Sequence, residues 1–243
     1  MVTMRCAARA AVVAAVVLGV HCPAALAEVR YTLTDLGTLG GSGSYAFGIN
    51  NLGQVVGASS LSGGNDCHAF LYTPGSGMKD LGTFGWTNSW GYGIINAGQI
   101  IGDHSTTSDY YHSFLYTPGS AATDLGTLGG TDEMARGIND LGQVVGTART
   151  AGTAGGGFHA FIYSGAAMTD LNGIIDPDSG WLLTNADAIN DKGQIVGYGV
   201  DPLGHQEAFL LTPIPEPGTI ALLALGGAAL VRRRRVAPRT DRP

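Results

Sequence analysis

The segment Gly48-Ile49-Asn50-Asn51-Leu52-Gly53-Gln54-Val55-Val56-Gly57 returns three more times along the chain. It reads Gly93-Ile94-Ile95-Asn96-Ala97-Gly98-Gln99-Ile100-Ile101-Gly102, then Gly137-Ile138-Asn139-Asp140-Leu141-Gly142-Gln143-Val144-Val145-Gly146. The last copy is Ala188-Ile189-Asn190-Asp191-Lys192-Gly193-Gln194-Ile195-Val196-Gly197. Around each copy lies a larger unit, marked by Asp-Leu at Asp35, Asp80, Asp124 and Asp170, in steps of 45, 44 and 46 residues. Self-similarity at a period of this size is the signature of repeat architectures.

Each unit predicts four short strands. In the first, Tyr45–Asn50 leads into the turn Asn51-Leu52-Gly53, where Gly53 is free to take positive φ. Gln54–Ser59 returns, His68–Thr73 is the third strand, and Pro74-Gly75-Ser76-Gly77 turns into Met78–Leu81. Paired apolar neighbours such as Val55-Val56, Ile100-Ile101 and Phe70-Leu71 predict strands covered on both faces, since a half-exposed strand alternates. Four such units describe an all-β, four-bladed β-propeller over residues 28–214. Tyr31-Thr32-Leu33-Thr34-Asp35-Leu36 reads as a fourth strand that completes the last blade and closes the ring. A β-solenoid of stacked coils is the alternative.

The third strand begins His68-Ala69-Phe70-Leu71-Tyr72, His112-Ser113-Phe114-Leu115-Tyr116 and His159-Ala160-Phe161-Ile162-Tyr163. A looser fourth copy is His205-Gln206-Glu207-Ala208-Phe209-Leu210-Leu211. This segment resembles the signature of the HAF family of bacterial extracellular repeats, over about residues 31–213. The fourth copy departs from it, with two residues between His205 and Ala208-Phe209, and with Asn172-Gly173-Ile174-Ile175 in place of Gly-Thr-Leu-Gly. The resemblance implies an exported repeat protein.

Both ends of the chain read as export signals. Residues 1–27 have Arg5 and Arg9, the apolar run Ala10–Val20, and Ala25-Leu26-Ala27 as a cleavage site before Glu28. Near the other end, Pro215-Glu216-Pro217 precedes a 14-residue apolar run, Gly218–Val231, and the cluster Arg232, Arg233, Arg234 and Arg235. A stable membrane span needs about 20 apolar residues. The run is therefore expected to enter the inner membrane transiently as a short transmembrane helix and to be processed. Residues 236–243 stay behind as a cytoplasmic tail, by the positive-inside tendency. Residues 215–235 resemble the PEP-CTERM sorting signal of Gram-negative bacteria. That resemblance implies an exosortase as processing partner, delivery to the cell surface or extracellular matrix, and an association with exopolysaccharide and biofilm.

Between the signals, residues 28–214 hold 17 acidic side chains against five basic ones, a net charge near −12. Such a surface repels phosphate backbones, which argues against nucleic-acid binding. Cys67 is the one cysteine of this region, so an intrachain disulfide framework is excluded.

Candidate chemistry is sparse. No nucleophile elbow, phosphate loop or zincin helix occurs, and the region's only glutamates are Glu28, Glu133 and Glu207, so no catalytic residue is assigned and no enzyme is expected. The matching positions of His68, His112 and His159 are read as a repeated local hydrogen bond and not as metal ligands. His104 is read as a loop residue. Asp35, Asp80 and Asp124 are read as turn caps that accept backbone N–H groups beside glycine. Asp176, Asp178, Asp187, Asp191 and Asp201 form the densest acidic stretch and offer oxygen ligands for calcium. Trp86, Trp90, Tyr92, Tyr110 and Tyr111 crowd the second unit and supply flat faces of the kind that stack on sugar rings. The expected function is an exported surface or matrix protein that binds exopolysaccharide. A passive structural component and a polysaccharide hydrolase or lyase are the alternatives.

Overall fold

A computed structural model describes residues 31–64, 66–105, 110–152 and 156–214. The predicted signal peptide, the sorting segment with its short helix, and the tail lie outside these residues. The chain divides into two units, Met1–Asp35 and Leu36–Pro243. Residues 31–35, the described part of the first unit, carry no strand.

The second unit is built of four antiparallel sheets, each from consecutive strands. Sheet 1 contains β1 (Gly40–Ile49), β2 (Val55–Leu61), β3 (Cys67–Thr73) and β4 (Gly77–Gly82). Sheet 2 contains β5 (Asn88–Ile94), β6 (Ile100–Ser105), β7 (Tyr111–Tyr116) and β8 (Thr123–Asp124). Sheet 3 contains β9 (Gly129–Ile138), β10 (Val144–Thr150), β11 (Phe158–Ser164) and β12 (Ala167–Asp170). Sheet 4 contains β13 (Leu182–Ile189), β14 (Ile195–Val200) and β15 (Gln206–Leu211). Two 3₁₀ turns, Leu171–Gly173 and Pro177–Ser179, link sheet 3 to sheet 4.

Every sheet is a local meander. A solenoid would need parallel pairing between successive coils, and the sheets are antiparallel within each unit, so that alternative does not describe the fold. The expected strand at residues 31–36 is absent, and sheet 4 has three strands among the described residues. The physical reason is range. The local pairs are joined by short turns, whereas this pairing must close a loop nearly as long as the whole domain.

The repeated segment forms the turn between the first two strands of each sheet. Asn50 Oδ1 accepts the amides of Leu52 and Gln54 at 3.0 Å each, and Asn50 Nδ2 donates to Gln54 Oε1 at 2.8 Å. Asn139 and Asn190 repeat this arrangement. The turn glycines Gly53, Gly98, Gly142 and Gly193 have φ of 72°, 81°, 74° and 73°, which a side chain would strain. The glycine that ends the segment has a different task. A Cβ at Gly57, Gly102 or Gly146 would overlap both the bulged first strand and the ring of Phe70, Phe114 or Phe161. Those phenylalanines are fully buried, each contributing about 1.5–3 kcal/mol of transfer free energy.

Core residues lie between neighbouring sheets, and the apolar doublets divide between two layers. Ile100 packs with Val56, Ala69 and Phe114, whereas Ile101 packs with Ala135, Val144 and Phe161. Val144 and Val145 split in the same way, Val145 joining Leu171, Leu183 and Ile195. Sheets 2 and 3 are therefore covered on both faces. Sheets 1 and 4 each keep apolar side chains exposed, among them Tyr45, Phe47 and Ile49 in one and Leu182, Val196 and Leu210 in the other.

Candidate functional site between the second and third sheets

The first unit defines the local template. His68 Nδ1 lies 2.9 Å from Asp80 Oδ2, and Asp80 Oδ1 accepts the Gly82 amide at 2.6 Å. The third unit repeats it, with His159 Nδ1 2.6 Å from Asp170 Oδ2 and the Asn172 amide on Asp170 Oδ1 at 2.9 Å. The recurring histidine thus makes a recurring hydrogen bond, and the aspartate caps the turn after the last strand. For Asp170, burial pushes the carboxyl up, but the hydrogen bonds from His159 and Asn172 outweigh it and hold the group below its ordinary value. Neighbouring sheets are tied by a second device. Ser89, from the first strand of sheet 2, accepts the Ala69 amide of β3 at 2.8 Å.

The second unit departs from both patterns. Asp124 still caps its turn, accepting the Gly126 amide at 2.7 Å. The position of Ser89 is taken one unit later by Glu133, whose Oε1 accepts the Ser113 amide at 2.8 Å. His112 Nδ1 lies 3.3 Å from that oxygen but is not aligned for a hydrogen bond, and it has no other partner. Glu133 Oε2 is likewise buried without a partner.

Behind this site sits a buried polar layer. Asp103, His104, Ser113 and Glu133 are each at most 2% exposed. Ser113 Oγ donates to Asp103 Oδ1 at 2.8 Å and accepts the Ala135 amide at 2.8 Å. Burial pushes the Asp103 carboxyl up to about 7, against the opposing Ser113 hydrogen bond. Burial likewise pushes Glu133 up to about 8, and lowers His104 to about 4. His104 is therefore neutral near pH 7. It is a strand residue of β6, not a loop residue, because β5 and β7 pair with β6 on either side through His104, opposite Ser89 and His112.

The five aromatics singled out from sequence do not form one patch. Trp86 is 40% exposed and stacks on His104 at 4.7 Å and on His112 at 5.9 Å between ring centroids. Trp90 meets Tyr111 at 6.2 Å beside Asp103, its partner in register, on the opposite face of β6 from His104. Tyr92 is half-buried against Phe47 at 5.4 Å, where burial and the Asp103 charge push its hydroxyl up to about 12. Tyr110 and Tyr111 are exposed.

The acidic stretch offered for calcium does not converge either. Asp176 caps the second 3₁₀ turn through the Asp178 amide, and Asp201 caps its own loop through the amides of Leu203 and His205. Among the described residues, the groupings close enough to share an ion are His112–Asp124–Glu133, in which Asp124 is exposed and Glu133 buried, and Asp201–His205–Glu207, in which His205 and Glu207 are exposed. Sequence reasoning missed Asp103, Ser113 and Glu133. The available signal was the departure from the repeat: alanine occupies the Asp103 position in unit 1, and alanine the Ser113 position in units 1 and 3.

No helix among the described residues is long and apolar enough to cross a membrane. Comparison with curated proteins finds no match for the chain. Residues 213–235 match the PEP-CTERM protein-sorting motif, beginning two residues after β15 ends at Leu211. The chain therefore carries the signal of an exosortase-sorted protein, exported to the cell envelope or surface of a Gram-negative bacterium.

Proposed function

We propose that this is a surface or matrix protein whose repeat domain binds exopolysaccharide, and that its sheets are the blades of a four-bladed β-propeller built of HAF-type repeats. The observation that carries the sorting part is the junction at Leu211, where the last strand runs directly into the motif at residue 213, so the cargo of the signal is the four-sheet domain. Support for the ring comes from one cavity of about 300 Å³ lined by the same turn of all four units, through Asn50, Asn96, Asn139 and Asn190. Closure brings the exposed apolar faces of sheets 1 and 4 together and protects Ile49, Val196 and Leu210.

Support for a glycan comes from exposed aromatic surface at Trp86, Tyr110 and Tyr111 on an acidic domain that repels acidic polymers in the absence of bridging cations. The test is binding of the exported protein to its host's exopolysaccharide, with and without calcium. Saturable binding that weakens when Trp86 and Tyr111 are each replaced by alanine supports the reading. Absence of binding under both conditions removes it and leaves the passive structural role.

A further inference from the structure

We propose that His112, Asp124 and Glu133 form a binding site for a divalent transition-metal ion of the zinc class, joining sheet 2 to sheet 3. One imidazole and two carboxylates, from β7, β8 and β9, present ligand atoms that all lie within 4.8 Å of one another. An ion with bonds of about 2.0–2.2 Å draws such atoms slightly closer, within the reach of side-chain rotation.

A second observation points to the ion independently. Glu133 is 0% exposed and its Oε2 has no hydrogen-bond partner, and Nδ1 of His112 has none. Native interiors rarely leave such atoms unpaired, and a cation here satisfies both. The equivalent histidines of units 1 and 3 already hydrogen-bond to their aspartates, at 2.9 and 2.6 Å, so they have no such need. The second unit alone adds a carboxylate from the next sheet.

The surroundings suit a ligand set. The Ser113 amide fixes Glu133 Oε1 and leaves Oε2 available, while the Gly126 amide orients Asp124. Parallel stacking of Trp86, His104 and His112 restrains the imidazole and shields it. Fixed outer partners of this kind raise metal affinity. A donor set with one nitrogen and two oxygens favours zinc-class ions over calcium, which takes six to eight oxygens. Asp201–His205–Glu207 lacks the corresponding support: it is largely exposed, and no atom of it is buried without a partner.

The test uses the exported protein, stripped with a chelator and titrated with zinc chloride by calorimetry, alongside thermal unfolding. The expected result is one saturable ion per chain and a raised unfolding midpoint. Glu133→Gln should weaken binding by about tenfold or more, while Asp201→Asn leaves it unchanged. Cobalt(II) loaded into the wild-type protein should show visible absorption of nitrogen–oxygen coordination, a readout that does not depend on any variant folding. No saturable binding to the wild-type protein overturns the proposal, as does undiminished binding by a folded Glu133→Gln variant.

Discussion

Glu133 accepts the amide of Ser113 across 2.8 Å, as Ser89 accepts the amide of Ala69 one unit earlier. The backbone hydrogen bond is the same, but a buried carboxylate has replaced a hydroxyl. This substitution places a further ionisable group in the layer between sheets 2 and 3 while keeping the backbone hydrogen bond that ties the sheets.

Glu133→Gln keeps an oxygen for Ser113 and removes the ionisable oxygen that has no partner. In the metal-free protein an amide NH2 then sits where Oε2 had no partner, so the two proteins should unfold within about 1 kcal/mol of each other. Urea unfolding of the two stripped proteins checks this. A large loss of stability would mean that Glu133 Oε2 is satisfied in the folded protein.

Asn139 bonds within its turn and also donates to the Asn190 carbonyl at 3.0 Å, across to the next unit. Among the described residues, Asn190 makes the same turn bonds without a step to another sheet. Asn139→Ala should therefore cost about 1 kcal/mol more than Asn190→Ala, the net worth of one hydrogen bond. Chemical denaturation of the two variants measures the difference.

Gly102→Ala forces a methyl into the Trp90 carbonyl and the Phe114 ring. Overpacking of this kind costs about 1–3 kcal/mol or more. Gly43→Ala, where nothing lies within 4 Å of the added carbon, should change stability by a few tenths. Equal midpoints for the two variants would contradict the bulge geometry.

Asp170 carries the acid dependence of the His159 pair. Its folded pKa is held below the ordinary 3.8, so its contribution is present above that value and is lost as pH falls through the lower folded value. Asp170→Asn should be less stable than wild type at neutral pH, and the gap should narrow below pH 3.8. Unfolding midpoints across pH 2–6 follow it.

The sheets were legible because turn chemistry and apolar doublets act locally. Asn50, Gly53 and Gln54 close one turn among themselves, and Ile100 beside Ile101 already announces two buried faces. The roles of His68 and Asp80 were legible for the same reason, since both lie within one unit. The strand expected at residues 31–36 depended on a partner at the far end of the domain, and local pattern does not govern such a pairing. The buried layer was hidden differently. Asp103 and Ser113 pair across β6 and β7 within sheet 2, but Glu133 joins them only when β9 packs on β7, so its sequence distance carries no signal, and the aromatics that looked contiguous are divided between the faces of sheet 2.

The most direct test of the account is the C-terminal mass of the protein recovered from its host's surface and medium. The account predicts a form that retains the strands through Leu211 and has lost the arginine cluster, and accumulation of an unprocessed form when Glu216 is replaced by alanine. An intact C-terminus through Arg235 on the exported wild-type protein would contradict sorting by this motif.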